Sequence, residues 1–168
     1  MSDYVRPFFL VAHAIVRANP RAEVFCFGTR LTRLTSALAV RRADDALARV
    51  AAVAPDRGAG TRIGSSLKSF LDEHGHRGLA RGAVVVICSD GLEIGDPALL
   101  GEQAARLARL AHRVVWLNPL KGSPDYEPLT RGMLAALPHV DAFESGHNLR
   151  SLEALFASLA ASCRPTRP

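Results

Sequence analysis

A chain of 168 residues, 48% hydrophobic and 22% charged, is sized for one domain around one continuous core. No apolar run approaches the roughly 20 residues needed to cross a bilayer, which excludes membrane insertion through a helix. The formal charge of +5 comes mostly from arginines dispersed among alanines and leucines, without a Lys/Arg block or an aromatic ladder for stacking bases, which argues against nucleic-acid binding.

Met1-Ser2-Asp3-Tyr4 opens acidic and polar with no cleavage pattern after it, so the expected compartment is the cytoplasm. Cys26, Cys88 and Cys163 are odd in number and lack metal-ligand spacing, and two fall in predicted strands; they are read as buried thiols.

The spacing of Phe8, Phe9, Ala12, Ile15 and Val16 predicts a helix over Ser2–Arg17, stopped by Asn19-Pro20, with no strand before it. Ala22–Phe27 and Leu31–Thr35 read as two strands joined by a tight connection, an antiparallel edge hairpin. Val40–Val53 follows as an amphipathic helix with Ala46, Leu47 and Val50 on its apolar side. Thr61–His74 is the next helix, with Ile63, Leu67, Phe70 and Leu71 inward and Thr61 available as an N-cap. His74-Gly75-His76-Arg77-Gly78 reads as a solvent-facing loop. Two histidines so close could share a metal, yet no third ligand is near in sequence.

Ala83–Cys88 is a six-residue apolar run with three adjacent valines, suited to a strand covered on both faces, and it runs into Ser89-Asp90-Gly91. A helix over Pro97–His112, a strand over Arg113–Leu117, a short helix over Leu129–Leu137, an edge strand over Val140–Phe143 and a closing helix over Leu149–Ala161 complete the pattern. Lys121–Pro128 reads as a long exposed loop, and the tail from Cys163 to Pro168 is expected to be disordered. Alternating strands and helices predict an α/β, three-layer, doubly wound and mostly parallel sheet with the antiparallel hairpin at one edge.

In such a sheet, ligands meet the carboxyl ends of the strands. Three loops can converge there: Gly28-Thr29, Gly58–Thr61 and Ser89–Asp96. The Thr61 hydroxyl and the Asp90 carboxylate are oxygen ligands suited to Mg²⁺ or Mn²⁺, and neither Glu93 nor Asp96 is clearly placed to add a third. The plainer alternative is that Asp90-Gly91 only makes a turn. GxGxxG after a strand, GxxxxGK[ST] and GxSxG are all absent. A hydrolase pairing Asp90 with His112 or His147 lacks an evident nucleophile with an oriented base. No catalytic residue is therefore singled out, and such a hydrolase stays a lesser alternative.

GAGTRIGSSL at Gly58–Leu67 and VVVICSDGLEIGDP at Val84–Pro97 resemble the von Willebrand factor A (VWA) domains of bacterial CoxE-like proteins. So do FCFGTRLTRLT at Phe25–Thr35 and RVVWLNPLKGSPDYEP at Arg113–Pro128. The resemblance spans essentially the whole chain and implies a VWA-like domain over residues 1–162. It also implies a metal-ion-dependent adhesion site to which Thr61 and Asp90 correspond. The D-x-S-x-S motif that would supply the other ligands is absent, and Met1–Tyr4 matches the junction just after it. The resemblance thus implies an N-terminally truncated, incomplete domain without its first central strand, leaving the strands beginning at Ala22 and Ala83 without the neighbour between them. Mg²⁺ or Mn²⁺ would then bind weakly or not at all. Function by resemblance is a non-enzymatic protein-interaction module. Its partner would be a MoxR-type AAA+ ATPase or a metalloenzyme being matured. The alternative is a structural remnant with no functional site.

Overall fold

The computed structural model describes residues 5–54, 60–122, 127–128 and 130–146. The predicted closing helix over 149–161 and the tail from 163 lie outside them.

Helix α1 (Val5–Ala18) carries apolar residues on two adjoining stripes rather than one. Phe9, Ala12 and Val16 pack with Leu34, Leu38, Leu47 and Val50, while Phe8 and Val11 pack with Val115 and Leu117. A helix whose i, i+3 and i+4 positions are apolar on both sides of one line spans two neighbouring surfaces.

Strands β1 (Phe25–Phe27) and β2 (Leu31–Arg33) form the expected antiparallel pair, with Phe25 opposite Arg33 and Phe27 opposite Leu31. The second strand stops two residues short of Thr35, because the chain turns there into the short helix α2 (Thr35–Leu38), which buries Leu38 beside Leu34. Glu23 clasps the hairpin: its carboxylate accepts from Arg33 through Nε at 2.8 Å and through a second guanidinium nitrogen, and from the Thr35 hydroxyl at 2.5 Å. The Arg33 hydrogen bond, joined by that of Thr35, holds the Glu23 carboxyl below its ordinary 4.5 in spite of partial burial. A depressed carboxyl contributes stability above its unfolded value and loses it as pH falls through its folded one. Glu23→Gln is therefore expected to lower stability at neutral pH and to match the parent below the folded pKa, as read from melting curves across the acid range.

Helix α3 (Ala43–Val53) starts three residues later than the apolar spacing implied, with Asp44 and Asp45 in its first turn, where acidic side chains favour the helix dipole. Ala46, Leu47 and Val50 are buried as expected. Helix α4 (Ile63–Phe70) buries Ile63 and Leu67. The stretch expected as an open loop is instead helical: Leu71–Leu79 continues α4 in π-helical form until Gly78 at φ 106°. Aromatic packing explains the difference. His74 follows Phe70 by one turn, and its half-buried ring lies tilted at 5.0 Å from the ring of Phe25, which itself meets Phe70 edge-on at 5.3 Å.

Strands β3 (Val84–Cys88), β4 (Arg113–Asn118) and β5 (Ala142–Ser145) form a parallel sheet in that order. Val84 lies opposite Arg113, and Val115 opposite Ala142. The last strand sits two residues later than its apolar pattern implied, because Asp141 closes its start: the Val114 N–H donates to the Asp141 carboxylate at 2.6 Å. One face, with Val85, Ile87, Val114 and Trp116, packs on α4, on α5 (Pro97–Leu110) through Leu100 and Leu107, and on α6 (Arg131–Ala136) through Met133 and Ala136. The opposite face, with Val84, Val86, Val115 and Leu117, receives Phe8 and Val11 of α1. Helices on both faces of a largely parallel sheet make this an α/β fold.

The two sheets do not join. Among the described residues no ladder links β1 to β3. Burial differs between the paired strands. In β4, flanked on both sides, every residue after Arg113 is buried, whereas in the equally apolar β3 only Ile87 is. Cys88, expected as a buried thiol, is exposed, and Cys26 is half-buried. Protein nonetheless rings Cys88 closely enough that desolvation pushes its thiol up to about 12.

Candidate interaction site at the strand ends

At the end of β3 the ladder runs one residue further, with the Ser89 N–H donating to Leu117 O at 3.0 Å, and then the chain peels away. Buried residues of β4 hold the departing backbone. The Trp116 indole donates to Ser89 O at 2.9 Å, and the Asn118 amide donates to Asp90 O at 3.2 Å. Asp90 turns the loop by accepting the Leu92 N–H at 3.0 Å, and the Ser89 hydroxyl accepts the Gly91 N–H at 3.1 Å. The turn reading of Asp90-Gly91 is thus correct as far as it goes, and it leaves the half-buried carboxylate at the sheet's C-terminal edge.

Gly91 sits at φ 79°, where a Cβ would lie 2.3 Å from the Met133 sulfur, and the Thr130 hydroxyl donates to Gly91 O at 3.2 Å. Close approach of α6 therefore requires glycine here.

The predicted convergence of loops is present. The Arg62 N–H donates to Gly28 O at 3.0 Å, and the Ile94 N–H donates to Thr61 O at 3.0 Å, so the Thr61 segment bridges the loop after β1 and the loop after β3. Thr61 is not the cap of α4; Arg62 stands at that position without a side-chain capping bond. The Glu93 carboxylate instead accepts the Gly64 N–H at 2.7 Å in the first turn of α4, and its other oxygen accepts the Gly95 N–H at 2.6 Å. Asp96 caps α5 through the Ala98 N–H at 2.9 Å. Both acids thus serve backbone donors at helix starts, where a carboxylate is favoured. Spacing alone did not reveal this for Glu93, whose partner lies 29 residues away. Leu92 and Ile94 stand out from the same loop, each 56% exposed.

The parallel register separates Asp90 from His112. Asp90 follows the C-terminal end of β3, while exposed His112 precedes the N-terminal end of β4, level with Ala83, about 23 Å away along seven residues of extended chain. That pairing is not available for catalysis. His147 lies outside the described residues, as does the side chain of His76.

A family description, VWA domain containing CoxE-like protein, matches residues 1–152. The chain belongs to this family. No curated protein and no solved structure matches it. The implied cation site can be weighed from the described residues alone. Among the described residues no group of three or more His, Cys, Asp or Glu side chains could hold a metal ion. A six-coordinate Mg²⁺ would find the Thr61 hydroxyl and the Asp90 carboxylate, with one Asp90 oxygen already accepting from Leu92. Glu93 and Asp96 are committed elsewhere. The donor set among the described residues does not fit a tight divalent-cation centre.

Proposed function

We propose that the chain is a non-enzymatic, cytoplasmic protein-interaction module that meets its partner with the loop face formed by Gly28, Thr61 and Asp90. The partner class implied by the CoxE-like resemblance is a MoxR-type AAA+ ATPase acting in metalloenzyme maturation, or the metalloenzyme itself. The observation that carries this reading is a carboxylate held on a rigidly braced loop beside two exposed apolar side chains, Leu92 and Ile94. An apolar centre with a few fixed polar groups is the composition of a protein contact.

Mg²⁺ or Mn²⁺ at Thr61 and Asp90 is held weakly or not at all. The melting temperature is accordingly expected to stay unchanged up to several millimolar Mg²⁺. A saturable rise that Asp90→Asn abolishes would contradict this.

Asp90→Asn also tests the interaction. Asparagine keeps an oxygen for the Leu92 N–H and removes only the charge, so the fold should persist. Binding to a MoxR-type ATPase from the same genome is expected to weaken at least about tenfold, the equivalent of about 1.4 kcal/mol. Equal binding by parent and variant would refute the assignment of this face.

A further inference from the structure

Between the β2–α2 corner and the second half of α3 lies an open cleft of about 500 Å³, within the ~300–1,000 Å³ usual for small-molecule sites. Thr32, Arg33 and Ser36 line one wall, and Arg49, Ala52 and Val53 line the other. None of these residues belongs to the loop face around Asp90, so the cleft is independent of any partner at that face. Arg49, Ala52 and Val53 stand at i, i+3 and i+4, on one side of the helix. Val53 also continues the buried stripe of Ala46 and Val50, yet it is 42% exposed. The apolar stripe of α3 thus runs out of the core and into the cleft.

Two further observations concern polar groups. Both charged residues that line the cleft are arginines, and none is acidic. Arg33 is held by the Glu23 carboxylate, whereas exposed Arg49 has no hydrogen bond or ion pair among the described residues. The second observation is the Thr32 hydroxyl. Its Oγ1 is buried without a hydrogen-bond partner, alone in this among the side-chain polar atoms of the described residues. The orphaned hydroxyl and the unpaired guanidinium therefore border the same cleft from opposite walls.

The geometry points to a binding site for a small organic oxyanion, a molecule with one carboxylate or phosphate on an apolar body. Arg49 takes the oxyanion, because a guanidinium offers a planar fork of donors that fits either group through two parallel bonds. Ser36 adds a hydroxyl donor from the facing wall. One staggered step of χ1 exchanges the hydroxyl and methyl of Thr32 and gives the orphaned Oγ1 a partner on the ligand. The apolar body lies on Ala52 and Val53. Other occupants fit less well. A cationic ligand would meet arginine and no lining carboxylate, and a bare inorganic anion would leave the apolar wall and most of the volume to water. The site binds rather than reacts, since no lining residue is a base that could activate either hydroxyl.

The test titrates the full chain with phenyl phosphate, phenylacetate, the neutral phenylacetamide and inorganic phosphate, following the backbone amide NMR signals of Thr32, Ser36, Arg49 and Val53. Phenyl phosphate or phenylacetate is expected to shift these signals saturably with a Kd of about 1–10 mM, the range open to a ligand of about ten heavy atoms. The tighter of the two identifies the oxyanion. Phenylacetamide and inorganic phosphate should bind at least about fivefold more weakly, and Arg49→Ala, a change at an exposed position, should weaken the anions by about fivefold. Thr32→Val removes the orphaned hydroxyl, so it should raise the melting temperature of the free chain by about 2–4 °C while weakening the anions. Four results would overturn the proposal: no saturable shift with either organic anion below about 50 mM, equal binding of phenylacetamide or inorganic phosphate, an Arg49→Ala chain that binds as the parent does, or a Thr32→Val chain that melts lower, which would show that the hydroxyl already has its partner.

Discussion

Trp116→Ala is expected to cost about 3–5 kcal/mol, the range for emptying a buried aromatic site, and to leave no more than about 2 kcal/mol if the parent's stability lies at the low end of the usual 5–15 kcal/mol. Trp116 is fully buried in the main cluster with Ile63, Leu100, Leu107 and Met133. It is also a brace for the site, because its indole N–H holds Ser89 O at 2.9 Å. Trp116→Phe separates the two roles. Phenylalanine keeps most of the packing and orphans the Ser89 carbonyl, for an expected loss of about 1–3 kcal/mol. Since Trp116 is the only tryptophan, denaturation should be followed by circular dichroism rather than fluorescence. A loss under about 1 kcal/mol for alanine would show that the core does not close around β4 as described.

Gly91→Val is the second large effect. A side chain at φ 79° costs about 1–2 kcal/mol, and here its Cβ would also fall 2.3 Å and 2.4 Å from atoms of buried Met133, adding about 1–3 kcal/mol of overpacking. The sum, about 2–5 kcal/mol, would be relieved only by lifting the loop off α6, which moves Asp90 with it. Gly82→Val is the matched control: φ is 68°, yet nothing lies within 4 Å of its Cβ, so only the conformational part should appear. Chemical denaturation midpoints of the two variants therefore measure how tightly α6 clamps the Asp90 loop, and equal losses would mean that it does not.

How much of this could be read beforehand depended on how local each cause is. The valine run ending in Ser89-Asp90-Gly91 placed a carboxylate at a strand's end, and the structure has it there, since the strand and the turn are both encoded within a few residues. The antiparallel hairpin was legible for the same reason. Distant partners decided what was misread. The helical path through His74 and Gly75 depends on Phe25, almost fifty residues earlier. Glycine punctuation signals an open loop only when no tertiary surface holds the chain. Glu93 had no clear place in the sequence, because its partner is Gly64 at the start of α4, far from it along the chain. Cys88 looked buried because its neighbours in sequence are apolar, but local apolarity does not set burial: among the described residues β3 pairs only with β4, and of its five residues only Ile87 is buried.

The account rests on Asp90 belonging to a braced contact face rather than to a catalytic or metal centre. The most direct measurement is amide hydrogen exchange of the full chain with and without a MoxR-type ATPase. The expected protection falls on the loops around Gly28, Thr61 and Gly91–Gly95, where the Asp90 turn and the Thr61 bridge lie together. Binding with protection confined to other surfaces, such as the exposed faces of α3 or α5, would contradict it.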